Sequence, residues 1–289
     1  MSRNWDLGLA KELGLKGFRF DAIKHFSEGY LQEFIEHLDP NVGEGWFLVG
    51  EFWNTELSGL TAYLEKMQHK FSLFDAPLVG NFHTISTGDK ADLRGVFDNT
   101  FVKVEPYNAV TLVMNHDTQP SQALRLDITG WFVPLAYALI LLREDGYPCL
   151  FYGDVYGIKG GVKNDWLPPA AERKIPDMTL ARKMYAYGEQ NDYFDNPNLI
   201  GWVRRGTWDR PSGCAVVLSN ADMGEIRMFV GEMHKGRKWT DIMGWESKEV
   251  EIGEDGFGMF SIGGCSASVW ANKDAKWREL FGKFDAKIY

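Results

Sequence analysis

Gly17-Phe18-Arg19-Phe20-Asp21-Ala22-Ile23-Lys24-His25 is the stretch whose reading decides the fold. From Gly17 to Asp21 the side chains alternate, with Phe18 and Phe20 on one face and Arg19 and Asp21 on the other, which is the period of a β-strand. The phenylalanines suit packing beneath helices, and the charged pair suits a polar lumen. An acid stands at the C-terminal end of this strand. Two further stretches repeat the plan. Trp46 to Glu51 reads as a strand running into Val49-Gly50-Glu51-Phe52-Trp53, and Ala109 to Met114 reads as a β-branched strand followed by Asn115-His116-Asp117. Asp21 and Glu51 are 30 residues apart, about one βα unit, and Glu51 and Asp117 are 66 apart, about two. In a βα barrel the chemistry sits at this end of the strands.

Outward from these strands the pattern continues. Helices are expected over Asp6 to Leu13, over Glu28 to Leu38 with a stop at Asp39-Pro40, and over Leu57 to Met67. A brief strand follows at Phe71 to Phe74. A long apolar helix spans Trp131 to Arg143 and is broken by Gly146-Tyr147-Pro148. A strand at Cys149 to Tyr152 and a helix at Met178 to Tyr187 complete the alternation. Strand–helix alternation predicts a parallel sheet with helices outside it. After about Asn198 helical periodicity stops, and short runs (Leu199 to Val203, Cys214 to Ser219, Arg227 to Val230, Ala267 to Trp270) alternate with Gly-rich turns. That is the signature of an antiparallel β domain. The expected division is therefore 1–197 for the barrel part, 198–271 for a β-sandwich, and 272–289 for a charged, helical tail.

Composition narrows the partners. The chain has 289 residues, 45% hydrophobic and 25% charged, with a formal charge of −9 and no basic run. Nucleic acid and anionic membrane surfaces are excluded as partners by that balance. No stretch approaches the roughly 18 apolar residues of a membrane span, and Met1 to Leu15 lacks a signal-peptide core. Cys149, Cys214 and Cys265 are too few and scattered for a disulfide framework or a zinc site. With no Asn-x-Ser/Thr acceptor, these features point to a reducing, cytoplasmic setting. Aromatic residues make up 14% of the chain. Such rings stack on sugar faces, although cores use them equally well.

The chemistry follows from environment. A guanidinium at Arg19 beside Asp21 lowers that acid's pKa and keeps it an anion, as a nucleophile toward an anomeric carbon must be. Glu51 has apolar Phe52 and Trp53 beside it, and desolvation there raises its pKa, so that it can protonate a leaving-group oxygen. One acid held charged and one held neutral is the scheme of a retaining glycosidase, with carboxyls about 5–5.5 Å apart. Each motif alone has a plainer reading. An Asp after a strand often caps a helix, Glu-Phe-Trp packs, Asn-His-Asp forms a hydrogen-bonded loop, and Lys24 and His25 lie on a surface. Joint occurrence, in order and at βα spacing, favours chemistry.

The three motifs, together with Phe71-Ser72-Leu73-Phe74-Asp75-Ala76-Pro77-Leu78, Asn115-His116-Asp117-Thr118-Gln119-Pro120, Pro134-Leu135-Ala136-Tyr137-Ala138 and Gly146-Tyr147-Pro148-Cys149-Leu150-Phe151-Tyr152-Gly153-Asp154, resemble the α-amylase family of glycoside hydrolases. The resemblance runs from about Trp5 to about Trp270. It implies a (β/α)8 barrel, with Asp21 as nucleophile, Glu51 as general acid and then base, and Asp117 as transition-state stabiliser. It implies further that Arg19 orients Asp21, that His116 binds the same sugar, that Lys24 and His25 line the leaving-group side, and that Trp53 is a stacking platform there. The backbone carbonyl of His25 would ligate a structural calcium. The substrate implied is an α-1,4-glucan of the starch or glycogen type.

By the same resemblance Asp21 ends the fourth strand of eight, so the chain is expected to hold a partial barrel, about strands 4 to 8, followed by the antiparallel β domain. Three βα units, most calcium ligands and the first sugar-binding motif would be missing. An unclosed barrel exposes strand edges, so self-association and weak or no turnover are expected of a fragment. A second calcium site looks lost as well, since Asn198 and Asn220, with Pro197 beside them, stand where carboxylates would serve better. Two alternatives share the substrate class: a 4-α-glucanotransferase using the same acids, and a non-catalytic glucan-binding remnant.

Overall fold

The computed structural model describes residues 8, 12–42, 46–159 and 166–284. Most of the helix expected over Asp6 to Leu13 lies outside the described residues. Five strands form one sheet in sequence order: β1 (Gly17–Phe20), β2 (Phe47–Gly50), β3 (Ser72–Phe74), β4 (Ala109–Leu112) and β5 (Tyr147–Cys149). The first four run parallel, with Phe20 opposite Gly50, Gly50 opposite Leu73, and Phe74 opposite Val110. Helices lie between them: α1 (Glu28–Val42), α2 (Leu57–Lys66), α3 (Ala76–Thr87) and the short α4 (Phe101–Val104). Beyond β4 come α5 (Val133–Leu141), α6 (Tyr152–Tyr156) and α7 (Ile175–Met184). This is the partial parallel barrel sheet that the alternation predicts.

Contacts divide the chain into two compact units. One comprises residues 1–78, 98–111 and 145–147, and the other 79–97, 112–144 and 148–289. In the first unit the phenylalanine face of β1 packs as its alternation requires. Phe20 meets Phe34 of α1 edge-on at 5.9 Å and Phe71 at 6.3 Å, and Phe18 meets Trp46 at 5.1 Å. Gly50 permits close approach at the end of β2, because a Cβ there would fall 2.4 Å from Ile23 Cδ1. Asp75, fully buried, joins two helices. Its carboxylate accepts from Leu78 N (3.0 Å) in α3 and from Phe101 N (3.1 Å) and Val102 N (2.7 Å) in α4. Helix N-termini leave such N–H groups without intrahelical partners, and one acid caps both.

In the second unit α5 is buried on all sides, which explains its unbroken apolar run. Tyr137 of α5 donates to Asp154 of α6 at 2.6 Å. Just past α5, the buried Arg143 forks onto Asp192 (2.8 Å to each oxygen) and lies over the rings of Phe97, Phe194 and Trp202. Arg143→Ala removes the fork and three cation–π contacts, but Asp192 stays partly solvated. We expect a loss of about 2–3 kcal/mol in denaturant unfolding, and a loss below about 0.5 kcal/mol would show the fork to be incidental.

The antiparallel part has two sheets. One is six-stranded, in the order β13-β12-β15-β10-β9-β8, from β8 (Gln190–Asn196), β9 (Leu199–Arg204), β10 (Cys214–Ser219), β12 (Lys238–Asp241), β13 (Glu249–Glu251) and β15 (Ser266–Asn272). The other pairs β11 (Gly224–Phe229) with β14 (Phe257–Ile262). Their shared core includes Val203, Val217, Trp239 and Trp270 against Met228 and Phe260. A two-residue hairpin, β6 (Ile158–Lys159) with β7 (Trp166–Leu167), precedes them.

Several boundaries differ from expectation for identifiable reasons. Helix α1 runs past Asp39-Pro40 to Val42, because a proline in the last turn forfeits one bond and need not end the helix. Helix α3 was not expected, yet Asp75-Ala76-Pro77 carries its start signal, a capping acid with proline in the first turn. Strand β5 begins at Tyr147, inside the run read as a breaker, and Tyr152 opens a helix instead of ending a strand. The antiparallel strands begin at Gln190. Through Phe284 the tail is not the expected helix. It contains one 3-10 turn, Arg278–Leu280, and docks on α7. Tyr185 donates to Lys276 O at 2.7 Å and stacks on Phe281, and Gly282 N donates to Asp177 at 2.9 Å.

Candidate active site

In the first unit the loop after β1 turns sharply against the end of β2. Ala22 adopts a left-handed conformation (φ 48°), so the chain folds back over the strand end. Ile23 N donates to Glu51 O at 3.0 Å, and Glu51 N donates to Phe20 O at 2.9 Å. Two acids at the ends of adjacent parallel strands are thereby fixed side by side.

Arg19 bridges them. One guanidinium nitrogen donates to Asp21 Oδ1 at 2.7 Å and the other to Glu51 Oε2 at 2.9 Å. Ala22 N also donates to Glu51 Oε2, at 3.2 Å. The surroundings of the acids differ sharply: the Asp21 side chain is 72% exposed and that of Glu51 8%. The sequence predicted Arg19 beside Asp21 and a buried Glu51, and the structure has both. It did not predict that Arg19 would serve Glu51 as well, because side-chain reach across strands is invisible to within-strand alternation. Lys24 and His25 are exposed on the 3-10 turn Ile23–His25, and Trp53 is half-buried, one residue past Phe52, which stacks on Tyr63 at 4.5 Å.

Asp117 and His116 belong to the second unit. Asn115 shapes their loop: its Oδ1 accepts from Asp117 N (2.9 Å) and Thr118 N (2.8 Å), while Thr118 Oγ1 accepts from Asn115 N (3.0 Å). Asp117 is partly exposed, and His116 Nε2 lies 3.4 Å from its carboxylate. By strand order Asp117 follows β4, two strands along from the β2 that carries Glu51.

The calcium site implied by the resemblance rests on His25. His25 contributes one backbone carbonyl, whereas the ion takes about six to eight oxygens. Among the described residues no group of three or more His, Cys, Asp or Glu side chains gathers as a metal site. Asn198 and Asn220 are spent on each other and on the chain: Asn198 Nδ2 donates to Asn220 Oδ1 (2.9 Å) and Lys90 O (3.0 Å), and Asn220 Nδ2 donates to Ala91 O (2.5 Å). This pair clips two loops of the second unit together. We expect chelator to leave thermal unfolding unchanged; calcium at a hundredfold its dissociation constant would add about 2.7 kcal/mol, and a fall in melting temperature with EDTA would reveal it.

No protein-family model matches the chain. Curated relatives do. It is 44% identical over 274 residues to the glucan 1,4-α-maltohexaosidase of Bacillus sp. (strain 707), covering 94% of this chain and 52% of that one. It is 40% identical over 272 residues to the cytoplasmic α-amylase of Escherichia coli (strain K12), covering 92% and 55%. The chain thus spans about half the length of the curated relatives it matches. Among solved structures, an Anoxybacillus α-amylase superposes with a TM-score of 0.67 at 17% identity, covering 93% of this chain and 62% of that one, which is a likeness of fold.

Proposed function

Over 94% of its length this chain belongs with the α-amylases, and from that premise we propose that it carries the acid pair for retaining hydrolysis of α-1,4-glucosidic bonds in starch- or glycogen-type glucans. One observation carries the reading. Two acids at adjacent strand ends share a single guanidinium, one open to solvent and one buried. Sharing one guanidinium keeps the two carboxyls near each other, as a retaining pair requires. Asp21, exposed and held by Arg19, attacks the anomeric carbon. Glu51, enclosed, protonates the departing oxygen and later activates water. Asp117, with His116, binds the sugar hydroxyls as the oxocarbenium-like state forms. Lys24, His25 and Trp53 line the leaving-group side.

Hydrolysis is preferred to glucanotransfer because relatives at 40% identity and above are named glucan 1,4-α-maltohexaosidase or α-amylase, whereas a cyclomaltodextrin glucanotransferase is 24% identical. A cytoplasmic location is supported by the Escherichia coli relative's name and by the cysteine usage. Among the described residues no helix is long and apolar enough to cross a membrane. Reducing-sugar release from maltoheptaose tests the proposal. Turnover that Asp21→Asn removes supports it; glucan binding without turnover, unchanged in Asp21→Asn, would support a non-catalytic binding protein instead.

A further inference from the structure

The geometry points to a carbohydrate-binding site in the second unit: a cavity of about 420 Å3, framed by the loop joining β9 to β10, the turn at His234 and the segment around Trp277, that takes a glucosyl unit of an α-glucan. The choice of an α-glucan rests on the hydrolase reading above, whereas the cavity and its chemistry stand without it.

Trp208, in the β9–β10 loop, is 94% exposed. An indole left so bare on a folded surface marks a contact surface more often than chance, because it forgoes the burial that large rings usually gain. Across the cavity Trp277 sits in the left-handed region (φ 72°), a strained setting for a bulky residue. Arg210 fastens it there. Its guanidinium lies 5.6 Å from the Trp277 ring and 4.5 Å from Tyr187, and donates to Lys183 O. Two rings thus line the cavity, one held and one exposed.

The polar lining is mixed. Arg237 lies 4.0 Å from Asp274 and Arg210 lies 3.9 Å from Asp209, and Lys276 adds a further cation to the lining. Sugar hydroxyls can both donate to the carboxylates and accept from the cations. Ser212 and His234 also line the cavity, and burial pushes the His234 imidazole pKa down. A stacking ring, paired charges that both donate and accept, and a volume within the usual range for small-molecule sites together fit a sugar.

Hydrogen exchange of the full chain with and without maltoheptaose tests this, with glycogen affinity as a second readout. Maltoheptaose should slow exchange over residues 206–212 and 272–278, and Trp208→Ala should abolish that protection and weaken glycogen binding at least tenfold. Trp208 is exposed, so the variant should keep the wild-type melting temperature. Absence of protection in those two segments, or undiminished binding by Trp208→Ala, overturns the inference. Protection over residues 17–22 and 50–54 reports separately on the acid pair, so each reading can fail alone.

Discussion

Asp75→Ala should leave little folded protein. Its carboxylate is the acceptor for three backbone N–H groups at two helix starts, all buried. Each orphaned donor costs about 1–3 kcal/mol, and the sum rivals the whole stability of an ordinary domain, about 5–15 kcal/mol. Asp75 also sets a pH dependence. Burial pushes its pKa from 3.8 up to about 6, against the lowering effect of its N–H partners. Asp154, under Tyr137, is likewise pushed up to about 6 by burial. For such acids the folded state binds the proton more tightly than the unfolded chain. Their contribution is therefore complete below about pH 4 and is lost as pH rises through about 6, on the order of 3 kcal/mol for each. His234 pulls the other way in this window: burial pushes its pKa down, so its contribution falls as the unfolded chain takes up the proton below about pH 6.5, and this one opposing group is outweighed by the two acids. Asp92 and Glu249, held low by Arg94 and by Lys273 with Lys238, act only at lower pH. The protein should melt at a higher temperature near pH 5 than near pH 7.5, and Asp75→Asn should narrow that gap. A wild-type melting temperature that falls on acidification, or an undiminished gap in Asp75→Asn, would count against this account.

The role of Asp75 shows where sequence reading stops. Strands β1 to β4 were legible because alternation and spacing are local, and the acids following β1, β2 and β4 were legible for the same reason. Beyond the strand at Phe71 to Phe74, the run Asp75 to Leu78 stood out only as part of a resemblance: nothing in it says that its acid reaches 27 residues ahead to cap a second helix. The Tyr137–Asp154 bond likewise joins two motifs that the sequence presented separately. Arg19 is the same case at the site, since its second partner lies 32 residues away. Long-range polar pairs have no periodicity and no composition signal, so coordinates are needed to find them. The tail failed differently: its charge pattern suggested a helix, but hydrogen bonds and a stacked ring on α7 hold it in an irregular path instead.

The pair of acids predicts a split by leaving group. If Glu51 protonates the departing oxygen, its removal should matter only when that oxygen is a poor leaving group. Glu51→Gln should therefore slow hydrolysis of maltoheptaose by about 10²–10⁴-fold, the usual span for a general acid. With α-maltosyl fluoride, whose fluoride leaves without a proton, the first step should proceed in Glu51→Gln nearly as in the wild type. Water attack then lacks its base, so the glycosyl ester should accumulate and be found by mass on the peptide bearing Asp21. Asp21→Asn should remove turnover of both substrates, by roughly 10⁴-fold or more, because an amide cannot form the ester. Arg19 sharpens the test. It donates to both acids, so Arg19→Lys, which cannot fork, should slow the first step on both substrates, whereas Glu51→Gln slows that step on maltoheptaose alone. Equal losses in the first step on the two substrates in Glu51→Gln, or an ester on any residue other than Asp21, would reverse or remove the roles assigned to this pair.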